Sequence, residues 1–254
     1  MLRVLLIIST ASVLAAARRM AGPMMVDLSY AFDKSTLYPK EAGNFTLDVR
    51  HGKTKYGVRY QEEIFMAPTE GGTCMITPRL LMKGRWSIMD IPLNRLVAAG
   101  VVIDVSLQVM RNRNYQLLTS DVLRWEDIHG KLPQGCILLI RTGWSRYWPS
   151  WKKYHGLGNV TYDVPHHPGI HPDTATWLIS KRKLYGVGID GPSLDYGMSK
   201  NLGAQHVFLA ANTYGLLNVA NMKELPSAGF TMFVFPMKIR GASASPVRIL
   251  AVVP

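Results

Sequence analysis

Acidic residues are few in this chain: 17 Asp and Glu stand against 29 Lys and Arg, a formal charge of +12 at pH 7 over 254 residues. An excess of that size points toward nucleic acid, a membrane surface or acidic glycans. The basic residues are nevertheless dispersed in small groups (Arg111 and Arg113, Lys152 and Lys153, Lys181 to Lys183), with no long basic block and no nucleic-acid motif. Nucleic acid is therefore not expected as a partner. Cysteine is also scarce: Cys74 and Cys136 allow at most one disulfide, and the sequence does not say whether they meet. No unbroken apolar run reaches the ~18 residues of a membrane-spanning helix. There is no internal repeat, low-complexity tract, GxGxxG or GxSxG element, so neither a dinucleotide fingerprint nor a serine-nucleophile elbow is present.

What is present is a 48% hydrophobic chain, enough for one substantial core. The start reads as a leader, with Arg3, a mostly apolar Val4 to Val13, and an AxA cleavage site at Ala15 and Ala17. The expected division is a signal peptide over 1–17 and a single domain over 18–254, in the secretory lumen or secreted, with no membrane attachment after cleavage. Sequons at Asn44-Phe-Thr46 and Asn159-Val-Thr161 fit that route.

The pattern is α/β. Met24 to Tyr30 reads as a short strand, and Ala31 to Gly57, rich in turn formers, as a surface wrap. Leu93, Leu96 and Val97 form a short helical stripe stopped by Gly100. Val101 to Val105, Cys136 to Arg141, Leu184 to Ile189, Phe230 to Met237 and Ile249 to Val253 read as buried strands, because continuous β-branched and apolar runs suit a sheet covered on both sides. Helices are expected over Val122 to Ile128, with Ser120 as cap, and from Pro172 or Asp173 to Ser180. A short one is expected over Ala204 to Leu209. His166, His167 and His171 are read as a Pro- and Gly-punctuated loop entering a helix rather than as metal ligands. The aromatics Trp148, Trp151 and Tyr154 are read as core packing before pocket lining.

The stretch Glu70 to Leu80 carries the functional question. If it is extended, Glu70, Gly72, Cys74, Ile76, Pro78 and Leu80 share one face, and only Glu70 and Cys74 on that face have lone pairs to offer a metal. Its spacing resembles the HxGTHxDxPxH signature of the cyclase family of metal-dependent hydrolases, which includes bacterial kynurenine formamidase and isatin hydrolase. Gly72, Thr73 and Pro78 match. Glu70 and Cys74 stand at the first two histidines, Ile76 at the aspartate and Leu80 at the last histidine. The resemblance extends to Asp27-Leu28-Ser29-Tyr30, to Arg141-Thr142-Gly143-Trp144, to Asp190, Ser193 and Asp195, and to Gly241 through Arg248. Leu217 falls at a family glutamate and His206 at a family histidine.

The resemblance implies a single-domain α/β fold with a mixed, largely buried sheet and few surrounding helices. It also implies a divalent metal such as zinc or manganese that activates water against an amide carbonyl. With Glu70, Cys74, Ile76, Leu80 and Leu217 as former site positions and His206 as the retained one, the expectation is a family member that has lost the hydrolytic site. It would take no cofactor, bind a small aromatic molecule and form a homo-oligomer. Asp190, Ser193 and Asp195 are its pocket candidates. The alternative is an active arylformamidase-like hydrolase, converting N-formylkynurenine to kynurenine, with a rebuilt Glu70, Cys74 and His206 site.

Overall fold

The computed structural model describes residues 22–39, 42–157 and 164–254. The leader over 1–17 and the Asn159 sequon lie outside the described residues. Among the described residues there are twelve strands: β1 (Met24–Asp27), β2 (Thr46–Lys53), β3 (Arg59–Met66), β4 (Cys74–Ile76), β5 (Val97–Asp104), β6 (Gln116–Leu117), β7 (Cys136–Arg141), β8 (Gly169–Ile170), β9 (Leu184–Ile189), β10 (Tyr214–Leu217), β11 (Phe230–Pro236) and β12 (Ala244–Val253). The α-helices are α1 (Ser106–Arg111), α2 (Thr119–His129), α3 (Trp151–Tyr154), α4 (Pro172–Lys181) and α5 (Gly203–Ala210).

Strands β5, β7, β9 and β10 run parallel, each bonded to the next. β10 then pairs antiparallel with β4, β4 with β12, β12 with β11, and β11 with β5. The sheet thus closes on itself as a barrel, with β1 added along β12 beyond the end of the β4 pairing. The expected single-domain α/β fold is the one observed. Alternation along the strands splits the apolar residues into two layers. Met75, Val102, Ile137, Leu139, Leu216 and Met232 meet inside the barrel. Cys74, Ile103, Leu138, Val187 and Leu217 face outward and are covered by helical residues such as Val122, Leu178 and Phe208.

Two local expectations give way. Val97 to Gly100 belongs to β5 rather than to a helix, and only Leu93–Arg95 make a 3-10 turn. The helical spacing there was short enough to be satisfied by either state, and pairing with β11 decides it. The stretch read as a surface wrap contains β2, which pairs with β3 along eight positions as a freestanding hairpin. It is exposed almost throughout. Leu47 and Phe65 are cross-strand partners on one face, with Ile64 and Met66 on the other, so both faces carry apolar side chains at least half exposed. The outer wall of the barrel over β5, β11 and β12 is only partly covered, with Val97, Phe233 and Leu250 aligned in register, Phe233 and Leu250 half-buried, and Phe235 54% exposed beside them.

Candidate functional site

The chain reaches β4 through two glycines that no other residue could replace without strain. Gly71 (φ +155°) lies against the Tyr38 ring, where an added Cβ would sit 2.0 Å from Cδ1, and Gly72 (φ +55°) lies against Phe32. These turns end the extended reading of Glu70 to Leu80. The strand is three residues long, and Pro78–Leu80 turns away as a 3-10 helix. Cys74 and Ile76 do share a face, but Glu70 reaches the site from the loop.

Cys74 is the register partner of Leu217 on β10 and of Pro246 on β12. Glu70, Cys74 and Leu217 therefore border one cavity, with Tyr38, Tyr154, His155 and Asn218 among its other lining residues, and its volume is about 40 Å³. A space of that size takes roughly two or three waters. Ile76 is fully buried in the apolar layer beneath the helices, Leu80 packs against the same layer, and neither borders the cavity. His206 is not brought to this site. On α5 the buried side carries Ala204, Gln205, Phe208 and Leu209, so helical periodicity turns His206 to solvent.

The motif positions that match do structural work here. Thr73 Oγ1 donates to the Asn218 carbonyl (2.8 Å) and accepts from Tyr30 N (2.9 Å), tying three segments together. Asn218 Nδ2 donates to the Gly72 carbonyl, and its Oδ1 lies 2.9 Å from Tyr154 Oη, which is also 2.9 Å from the Asp190 carbonyl. Asp190 Oδ1 accepts from Thr142 N (2.9 Å) and Oγ1 (2.5 Å). Asp195 caps α5, its two carboxylate oxygens accepting from Ala204 N (2.8 Å) and Gln205 N (3.1 Å). Ser193 Oγ donates to Gln205 Oε1 at 3.3 Å. Of the three pocket candidates, Asp195 and Ser193 secure the start of α5. Tyr154, His155 and Asn218 were missed as cavity residues; the aromatic cluster around Trp151 was the only signal for the first two.

Burial dominates the electrostatics. It raises the Glu70 carboxyl above its ordinary range and, together with the nearby Glu70 charge, pushes the Cys74 thiol up to about 12. Burial also lowers the His155 imidazole and opposes the hydrogen bonds that would otherwise depress Asp190. Cys74 and Cys136 are both free and buried, so no disulfide joins them. The His166 to His171 cluster is dispersed among other partners: His166 Nδ1 meets Asn114 Oδ1 at 3.0 Å, His167 Nδ1 meets the Pro168 carbonyl at 3.1 Å, and His171 Nδ1 accepts from Asp173 N at 3.2 Å.

Comparisons with known proteins agree with this fold. The family model Cyclase matches residues 26–196. An isatin hydrolase from Roseibium aggregatum is 33% identical over 165 residues, 63% of this chain and 61% of that protein; the chain thus matches less than two thirds of that relative's length. A kynurenine formamidase from Bordetella petrii is 32% identical over 79 residues, 31% of this chain and 37% of its own. The solved structure of isatin hydrolase A from Labrenzia aggregata bound to benzyl benzoate superimposes with a TM-score of 0.82 at 26% identity, covering 96% of this chain and 99% of that one.

The expectation of no cofactor is corrected by these relatives. A structural neighbour from Bacillus stearothermophilus, 18% identical with a TM-score of 0.67 over 92% of this chain and 100% of its own, is described as a predicted metal-dependent hydrolase. Metal dependence is thus what is said of a structural neighbour of this chain. The donor set at the cavity does not fit a metal ion. Leu217 offers no lone pair, and although Glu70, Cys74 and His155 all border the cavity, no three His, Cys, Asp or Glu side chains among the described residues are grouped so as to hold a metal ion.

Proposed function

Because this chain belongs to the Cyclase family and is related to isatin hydrolase and kynurenine formamidase, we propose that it keeps the family fold without performing hydrolysis and acts as a binding protein for a small aromatic ligand. The observation that carries the non-hydrolytic part of this reading is the 40 Å³ cavity walled by Leu217, Cys74 and Tyr154. Ligand sites commonly occupy about 300–1,000 Å³, and an activated water attacking a carbonyl needs room for both. Benzyl benzoate in the isatin hydrolase A structure supports an aromatic ligand class. A rebuilt Glu70, Cys74 and His206 site finds no support, since His206 faces solvent.

Incubation of the purified protein with isatin and with N-formylkynurenine, each with added zinc or manganese, is expected to give no turnover above buffer. Turnover that a chelator abolishes would overturn the reading.

The protein is further proposed to be a homo-oligomer, with the β2–β3 hairpin as the arm that reaches a second copy. A two-stranded hairpin alone is marginally stable in water, and this one has apolar side chains on both faces. The partly covered wall at Val97, Phe233 and Phe235 gives the same molecule a matching apolar surface, and Phe32, Phe45 and Phe65 form a chain of ring contacts at the root of the arm. Reciprocal seating of two arms would bury on the order of 2,000 Å², enough for a specific dimer. Light scattering is expected to show a dimer that Ile64→Asp with Phe65→Asp converts to monomer. A monomeric parent chain would rule the arm out.

A further inference from the structure

A cleft of about 480 Å³ opens at the carboxyl ends of β5, β7 and β9, and nothing described so far uses it. That is where ligands collect in parallel α/β sheets, because side chains from successive loops converge there. It is separated from the small cavity by Asp190 and Tyr154: Asp190 borders the cleft, while its carbonyl lies 2.9 Å from the Tyr154 hydroxyl that borders the cavity.

Its charge is one-sided. Arg141, at the end of β7, is held by an ion pair with Asp104 at the end of β5. Arg146 and Lys223 enter from the turns after β7 and β10, both side chains exposed, and neither forms an ion pair among the described residues. The one acid on the wall, Asp190, is 1% exposed with its carboxylate turned to Thr142. Two cations therefore remain without a counter-charge. The lining also carries apolar surface: Met222 is buried, and the Tyr30 ring is fixed by stacking on Trp148, with centroids 4.0 Å apart and planes 5° from parallel. Ser106 and Ser145 add neutral hydroxyl groups to the lining, Ser145 as a side-chain hydrogen-bond partner of Tyr30.

We infer that this cleft binds a small carboxylate with an aromatic body, the carboxylate among Arg141, Arg146 and Lys223 and the ring against Tyr30 and Met222. An arginine fork matches a carboxylate in two parallel hydrogen bonds. A volume of 480 Å³ also leaves room for a ring that inorganic phosphate would not fill. The inference rests on the reading of the chain as a binding protein and names its ligand class.

Calorimetric titration of the full chain with benzoate, with benzyl alcohol and inorganic phosphate as comparisons, tests it. Benzoate is expected to bind saturably and at least tenfold more tightly than either comparison. Charge reversal at the exposed positions, Arg146→Glu with Lys223→Glu, is expected to weaken benzoate at least tenfold with an unchanged melting temperature. Absence of saturable benzoate binding, or binding indifferent to the double variant, would overturn the site; equal affinity for phosphate would overturn the ligand class. Hydrolysis of isatin by a chain that still binds benzoate in this cleft would instead overturn only the non-hydrolytic reading.

Discussion

Leu217→Glu, which puts back the carboxylate of the family pattern, is expected to lower the unfolding free energy by about 3–5 kcal/mol, the cost of an uncompensated buried charge. Leu217 is 2% exposed, faces Cys74 across the β10–β4 pairing, and shares the cavity with Glu70, whose own carboxyl is already raised by burial. A second carboxylate there has no cation to meet and must either stay protonated or open the wall. Against a total stability of about 5–15 kcal/mol for a domain, the loss should be plain in urea midpoints. Leu217→Met, which conserves volume, should cost less than about 1.5 kcal/mol. If Leu217→Glu is as stable as the parent, or if zinc or manganese raises its melting temperature, the cavity is not closed to a metal and the non-hydrolytic reading loses its main support.

Acid is expected to weaken the protein well before its carboxylates are fully protonated. His167 is 6% exposed, and burial, with smaller contributions from His155 and His166, pushes its imidazole down to about 4 from 6.5. The folded state therefore keeps this ring neutral while the unfolded chain takes up a proton below about 6.5. Its stabilisation is complete above that pH and is lost as the pH falls toward 4, by about 3 kcal/mol over the window. His155, lowered by the same cause, acts in the same direction. Glu70, Asp190 and Asp195, all raised by burial, act oppositely, because their folded forms take up protons more readily than the unfolded chain. Urea unfolding at pH 7 and pH 5 separates the contributions. The parent should lose more stability between those pH values than His167→Gln, which cannot take the proton. Equal losses would remove His167 from the account.

The sequence was most legible where a local pattern had one physical solution. Cys136 to Arg141 and Leu184 to Ile189 are continuous apolar runs bounded by turn formers, and they are parallel strands with the expected limits. It was least legible at Thr46 to Met66. This hairpin mixes charged and apolar side chains on both faces and so lacks the one-sided alternation that marks a half-buried strand. At the site, the missing donors were legible residue by residue, as was the meeting of Glu70, Cys74 and Leu217 implied by the family pattern. The solvent-facing position of His206 was not, because it depends on which side of α5 packs against the barrel. The free state of Cys74 and Cys136 likewise depends on separate strands and not on composition.

The sequence by itself determined which chemistry is available: Leu217, Ile76 and Leu80 cannot donate electrons to a metal in any fold. Only the tertiary structure decided what surrounds those positions. Tyr154, at the end of α3 and some eighty residues away in sequence, helps wall the space beside Cys74, which measures about 40 Å³. The larger cationic cleft on the other side of Asp190 is assembled from segments that follow five different strands. Neither volume has a signature in the chain, because each is the gap between side chains that only packing brings together.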